Sequence, residues 1–299
     1  MNRQVGMVGL GNMGGRMAAC LVKAGVEVRG VDPVAGRAES IGALPVASAA
    51  ELASATDVIL MSLPDSKVVE VVVGEMLPHC SPGTVIVDLS TASPDSTQRL
   101  HAEAGERGVD YLDAGISGGA AAAEKGQLII MVGGDAEVLE HLEWVFDPIA
   151  ARVEHLGGSG AGHVTKLLNN FLNAATLAAT AEVMIAGRKA GLDMAQLLSV
   201  INASSGVNFA SLKRFPSIIN GDYLEGGLTS RLMTKDVVLY QRLLADLGVP
   251  GLNVAGPLAC FGLAENLGYG NQISNRVVDA IGDAAGGVRL YDNPIETGA

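Results

Sequence analysis

Gly9, Gly11 and Gly14 stand in the spacing G-x-G-x-x-G, directly after the apolar run Val5 to Val8 and directly before a helical pattern. That context constrains the fold more than anything else in the chain, because it predicts a strand, a tight turn and a helix N-terminus in succession. Gly9 permits the turn, Gly11 lets the backbone approach a pyrophosphate, and Gly14 allows the helix to pack closely on the strand. The first turn of that helix offers free N–H groups to an anion. The segment Gly9-Leu10-Gly11-Asn12-Met13-Gly14 is therefore the expected dinucleotide loop. Glycines of an ordinary tight turn are the bland alternative, and the flanking pattern speaks against it.

The second strand candidate, Val26 to Val31, ends in Asp32. A carboxylate about 20 residues beyond the glycine loop accepts hydrogen bonds from the adenine ribose hydroxyls and repels a 2′-phosphate, so NAD is expected over NADP. Arg37 could in principle hold a phosphate; the commoner reading is a residue that caps or solvates a helix end.

Further strand candidates are Val58–Leu63, Thr84–Leu89, Tyr111–Ala114, Leu128–Val132 and Val153–Leu156. Helices between them have readable starts. Ser48-Ala49-Ala50-Glu51 has capping-box spacing, and Ser93-Pro94-Asp95 puts a good N-cap before proline at the first helical position. This alternation predicts an α/β fold, a Rossmann-type, mostly parallel sheet over residues 1–160 that binds ligands at the carboxyl ends of its strands. After Gly157-Gly158-Ser159-Gly160 the character changes. Residues 161 to about 190 read as one long Ala- and Leu-rich helix with Gly191 as its C-cap, and 194–203, 232–247 and 254–283 also carry helical periodicity. Residues 161–299 are expected to form an all-helical domain for substrate and oligomerisation, entered through that interdomain helix. A helix apolar nearly all round suggests an intersubunit or interdomain core, and a homodimer or homotetramer is expected. Tyr291 to Ala299 is expected to be an irregular terminus.

A net charge of −12 argues against nucleic acid or an anionic membrane surface as partner. Cys20, Cys80 and Cys260 are scattered, which fits a reducing cytoplasm and gives no cluster for a metal. Arg3 with the apolar run behind it, and Met17 to Cys20, imitate a secretion or lipoprotein signal, but strand–turn–helix suits the glycine spacing better. No uninterrupted apolar run reaches membrane-spanning length, so a cytoplasmic protein with no membrane partner is expected.

Four segments could carry chemistry. The strand ending Leu89-Ser90-Thr91 places the Thr91 hydroxyl where the nicotinamide half of the cofactor should lie, and a plain helix-start role is equally open. In Asp113-Ala114-Gly115-Ile116-Ser117-Gly118-Gly119, a strand end becomes a small-residue loop. Ser117, Gly118 and Gly119 could form a nest for a carboxylate, or simply a flexible loop. Lys166 and Asn170 lie one turn apart on the long helix, with His163 a turn earlier. Desolvation there would lower the lysine pKa and suit it to proton transfer, although a surface lysine is the commoner explanation. Lys235-Asp236 reads as a solvated helix face.

Taken in order, the glycine loop, Leu63-Pro64, Asp88-Leu89-Ser90-Thr91, Ser117-Gly118-Gly119, Gly162/Lys166/Asn170 and Lys235-Asp236 give the chain a likeness that no single motif carries. From about Val5 to Ala285 it resembles the β-hydroxyacid dehydrogenase family. The resemblance implies that the glycine loop, Asp32, Leu63, Pro64, Thr91 and Lys235 contact NAD. It also implies that Ser117, Gly118 and Gly119 bind a substrate carboxylate with Thr91 beside them, that Lys166 moves the proton and that Asn170 positions the substrate. The implied substrate is a small 3-hydroxy acid, 3-hydroxyisobutyrate foremost; the alternatives are reduction of tartronate or succinate semialdehyde, or a silent NAD-binding regulator. Two departures stand out: Gly115 and Ile116 replace the family's usual proline and valine, and Gly115 could loosen the loop. Ser204 to Phe209 is expected to face the distal part of the substrate. Arg231 is a candidate partner for a second anionic group, with an exposed arginine as the plainer reading.

Overall fold

Alternate residues of the central strands go to opposite faces of one sheet, and both faces are apolar. The computed structural model describes residues 3–291. Its strands are β1 (Gln4–Val8), β2 (Glu27–Val31), β3 (Leu44–Pro45), β4 (Val58–Met61), β5 (Val85–Asp88), β6 (Asp110–Ser117), β7 (Leu128–Gly133) and β8 (Ala150–His155). They form a single sheet in the order β3-β2-β1-β4-β5-β6-β7-β8. All neighbours are parallel except β6 and β7. Val5, Met7, Leu60 and Val87 enter one buried cluster, while Val8, Ile59, Met61 and Ile86 enter another. Period-two alternation with both faces covered is why these strands read as continuous apolar runs. The first six strands have the doubly wound dinucleotide-fold order, with its reversal point between β1 and β4.

Three differences from the sequence reading have physical causes. β3 went unpredicted because it is two exposed residues, one of them proline, with no apolar period. β6 runs past Ala114 to Ser117 because it changes partner. Up to Asp113 it pairs with β5, and from Asp113 to Ser117 it pairs with β7. β8 starts at Ala150, earlier than its apolar part suggests. Among helix starts, Ser48 caps as expected by accepting from Glu51 N at 3.1 Å, though Glu51 reaches back to Ala47 N at 3.0 Å. Ser93 occupies the N-cap before Pro94, yet its side chain makes no capping bond.

The chain divides into two compact units in sequence after Lys166. The second is helical, with helices Met194–Asn202, Phe209–Lys213, Phe215–Ile218, Ser230–Asp246, Ala255–Ala264 and Val277–Ala284. The expected helix over 254–283 is interrupted at Gly268, whose φ of 91° is non-helical. The long helix Ala161–Lys189 begins in the first unit and supplies core to the second. It ends as expected at Gly191. Gly191 N–H reaches Arg188 O and Leu192 N–H reaches Gly187 O, the paired bonds of a left-handed glycine cap. Ala174, Leu177, Ala178, Ala181 and Met184 form its buried stripe, but Leu168, Leu172 and Val183 stay 42, 64 and 50% exposed. Among the described residues of one copy, nothing buries this side of the helix. No described helix is long and apolar enough to cross a membrane. Residues 292–299, most of the expected irregular terminus, lie outside the described residues.

Candidate active site

Two of the three loop glycines are required by close packing, and the third stands in open space. Gly9 has φ +85°, and a Cβ there would fall 2.4 Å from Ser62 O. A Cβ on Gly14 would fall 1.9 Å from Gly9 O, so the helix Gly14–Lys23 can start this close to β1 only with glycine. A Cβ on Gly11 would meet nothing nearer than Arg37 Nη1 at 3.9 Å. The loop is thus crowded behind and open in front, as a pyrophosphate cradle must be. The helix has neither a side-chain cap at Met13 nor an acidic residue in its first turn, although Gly15 N–H already donates to Gly11 O at 2.9 Å.

Asp32 follows β2 and lies against this loop. Its carboxylate accepts from Leu10 N at 2.8 Å, from Val34 N at 2.9 Å, and from Arg37 Nη1 at 2.9 and 3.1 Å. Burial works to raise its pKa, but the Val34 and Leu10 N–H groups and the guanidinium outweigh it, and the group is held below the ordinary carboxylate range. Arg37, read from sequence as a helix-end residue, is the ion-pair partner of Asp32. Leu63-Pro64 follows β4 and Thr91 follows β5; Ser90 Oγ accepts from Leu63 N at 2.9 Å and ties the two segments together. All these expected cofactor residues of the first unit lie at the carboxyl ends of β1, β2, β4 and β5.

The start of the long helix is clamped to the sheet by buried polar groups that the sequence reading left without roles. Asp113, on β6, accepts from Gly160 N and His163 N, both at 2.7 Å, so a neighbouring strand caps this helix. His163 Nε2 donates to Asp88 O at 3.2 Å, and Thr97 Oγ1 lies 2.7 Å from Nδ1. The Asp88 carboxylate accepts from Tyr111 Oη and Ser90 N, each at 3.0 Å. Burial, with Asp88 close by, pushes the Tyr111 phenol well up. A signal existed in the sequence: Asp88 and Asp113 each stand within an apolar run, where an acid is costly unless bonded.

Lys166 stands half-buried one turn beyond this clamp. Here Gly115 explains itself. It lies inside β6 opposite Met131, so it does not loosen a loop. A Cβ at Gly115 would fall 2.5 Å from Lys166 Cβ, and one at Gly162 would fall 2.3 Å from Met131 O. Glycine at both positions lets the Lys166 turn lie directly on the sheet. Ser117 ends β6, and the turn follows with Gly118 at φ +122° and Gly119 at φ +70°. Nothing lies within 4 Å of where a Gly119 Cβ would project.

In the second unit Asn170 is 4% exposed, and its Nδ2 donates to Asp236 Oδ2 at 2.5 Å. With the amide nitrogen committed to a carboxylate, Asn170 Oδ1 is turned away from Asp236. Asp236 is 1% exposed, with Lys235 Nζ 3.3 Å from its other oxygen. The pair is therefore no solvated face. Its position among Met233, Val237 and Leu244, on the buried side of Ser230–Asp246, was the available clue. Arg231 is exposed and lies 3.8 Å from Glu265, consistent with its plainer reading.

A family profile described as the NAD binding domain of 6-phosphogluconate dehydrogenase matches residues 4–157. Another, described as the NAD-binding of NADP-dependent 3-hydroxyisobutyrate dehydrogenase, matches residues 160–280. The chain is 36% identical to 2-(hydroxymethyl)glutarate dehydrogenase of Eubacterium barkeri, covering 92% of this chain and 93% of that one. It is 38% identical to the NAD-dependent L-serine dehydrogenase of Pseudomonas aeruginosa, covering 80 and 84%. Among solved structures, the 3-hydroxyisobutyrate dehydrogenase of Mycobacterium tuberculosis with L-serine has TM-score 0.86 at 31% identity, covering 94 and 99%.

Proposed function

Since the chain belongs to the β-hydroxyacid dehydrogenase family and is an NAD-dependent hydroxyacid dehydrogenase, we propose that its substrate is a 3-hydroxypropanoate with a variable group on C2, a class that includes 3-hydroxyisobutyrate. The relatives named for 3-hydroxyisobutyrate, L-serine and 2-(hydroxymethyl)glutarate share the head HOCH2–CH(R)–COO⁻ and differ in R. The observation that carries the reading is the anchoring of Lys166, whose helix turn is fixed against β6 by Asp113, Gly115 and Gly162.

NAD, held by the glycine loop from Gly9 to Gly14, by Asp32 and by the Leu63-Pro64, Thr91 and Lys235 segments, supplies the hydride acceptor. Ser117, Gly118 and Gly119 hold the carboxylate, with Thr91 beside them. Neutral Lys166 takes the hydroxyl proton as the carbon is oxidised, and in the reverse direction its ammonium returns that proton to the developing alkoxide. Asn170, its amide fixed by Asp236, presents Oδ1 to the substrate. Orientation of the carbinol carbon supplies much of the rate.

Initial rates with NAD and with NADP, across hydroxy acids sharing that head and their semialdehydes, test this. Oxidation of at least one such acid, with NAD preferred at least tenfold, is expected. No turnover of any of them, with NAD binding intact, would reject the substrate reading.

Residues 1–160 are assigned to the dinucleotide and the carboxylate-binding turn, and residues 161–299 to the remaining substrate contacts and to assembly, as a homodimer or homotetramer in the cytoplasm. Three free cysteines suit that compartment. The exposed stripe of Leu168, Leu172 and Val183 suits a second copy. Leu172→Glu should shift the protein to monomer in sedimentation at micromolar concentration; an unchanged assembly places the interface elsewhere.

A further inference from the structure

Arg214, in the second unit, has no part in the reading above. Its side chain is drawn into the unit, where Nη1 donates to Asn275 Oδ1 at 2.8 Å and Nη2 to Asn173 Oδ1 at 2.9 Å. The guanidinium carbon lies 5.8 Å from the centre of the Phe209 ring. Both partners are neutral amides, and among the described residues no carboxylate lies within ion-pair distance. Arg276 and Arg289, also half-buried in this unit, each pair with aspartates. Withdrawal from water pulls the Arg214 pKa down to about 10, so it remains a cation at neutral pH. A half-buried cation without a counter-charge is costly, and its two bonds use only two of five N–H donors.

Its location supplies the counter-charge. Asn173 is three residues beyond Asn170 on the long helix, hence on the same face and about 4.5 Å further along the axis. Arg214 is therefore held about one turn past the amide assigned to substrate. Arg231, the sequence's candidate for a second anion, is exposed and lies 3.8 Å from Glu265.

We infer that Arg214, set by Asn173 and Asn275, is a subsite for a second carboxylate, so that the preferred substrate is a hydroxy dicarboxylic acid whose C2 group ends in that carboxylate. This rests on the hydroxy-acid reading and narrows R. A planar guanidinium with unclaimed N–H groups binds a carboxylate through two of them. An apolar R would leave the cation without a counter-charge.

The decisive comparison is 2-(hydroxymethyl)glutarate against 3-hydroxyisobutyrate, which share the reacting head and differ in R. Wild type should show the higher kcat/KM with the dicarboxylate. Arg214→Met should cut that value about a hundredfold, chiefly through KM, and change the monocarboxylate by less than about threefold; Arg214→Lys should recover part of the loss. Equal losses on both substrates would mean that Arg214 only braces the fold, and overturn the subsite. Binding gives an arm independent of turnover. Glutarate titrated into the NAD-loaded protein should bind at least about tenfold tighter than butyrate, and Arg214→Met should abolish the difference. Equal binding of the two overturns the subsite even if 3-hydroxyisobutyrate is oxidised. A glutarate advantage with no turnover of either hydroxy acid supports the subsite and rejects the substrate reading beneath it.

Discussion

Lys166→Ala is expected to lower kcat about a thousandfold while leaving the dissociation constant of NAD within about twofold. Removing a positioned general acid–base group costs about 10²- to 10⁴-fold. The loss should sit in kcat, because the ammonium or amine acts on the proton in flight and the carboxylate is assigned to Ser117 and the glycines beside it. Added methylamine should restore part of the rate, with a pH dependence that follows the amine's own ionisation. A variant that keeps kcat within tenfold of wild type would remove Lys166 from the chemistry.

Gly115→Ala should come close to that effect without touching an ionisable group. The new methyl would start 2.5 Å from Lys166 Cβ and 3.1 Å from Gly162 O, and neither is the free end of a flexible chain. The first turn of the long helix must lift, or β6 must bow away. A shift of about an ångström at a reacting group costs about a hundredfold in rate, and overpacking of this kind costs about 1–3 kcal/mol of stability. Steady-state kinetics should show the fall in kcat, and thermal unfolding should show a lower midpoint. Gly74→Ala is the control. It lies within the helix Ser66–Met76 with nothing within 4 Å of its Cβ position, so it should keep full activity and gain about 0.5–1 kcal/mol. Normal turnover in Gly115→Ala would mean that contact with β6 does not set the lysine's position.

Much of the first unit was legible because its determinants are local. The glycine loop, the continuous apolar runs of β1, β4 and β5 and the Ser48 cap each depend on residues a few positions apart. The extension of β6 was not, since Ser117 joins the sheet only by pairing with Ile129, and no local pattern announces a change of partner. Gly115 was misread for the same reason: its need for a missing side chain comes from Lys166, distant in sequence. Asp113 and Asp236 were visible as acids in apolar surroundings. What each one bonds, a helix start in one case and an amide in the other, is set by tertiary packing. Arg37 shows the limit from the other side. Its charge and position were readable, but its pairing with Asp32 depends on how the chain turns after β2.

The sheet's two outer strands carry a consequence for behaviour at high concentration. An unpaired strand margin is a template for other chains, and natural sheets blunt such margins with short strands, proline or charge. β3 is only Leu44–Pro45, and its proline has no N–H to donate. β8 carries Arg152 and Glu154, paired with each other and both well exposed. Neither margin invites ribbon-like growth, so self-association through this sheet is discouraged at both ends. What remains open to another copy is the side of a helix, a kind of contact that can close on itself and stop.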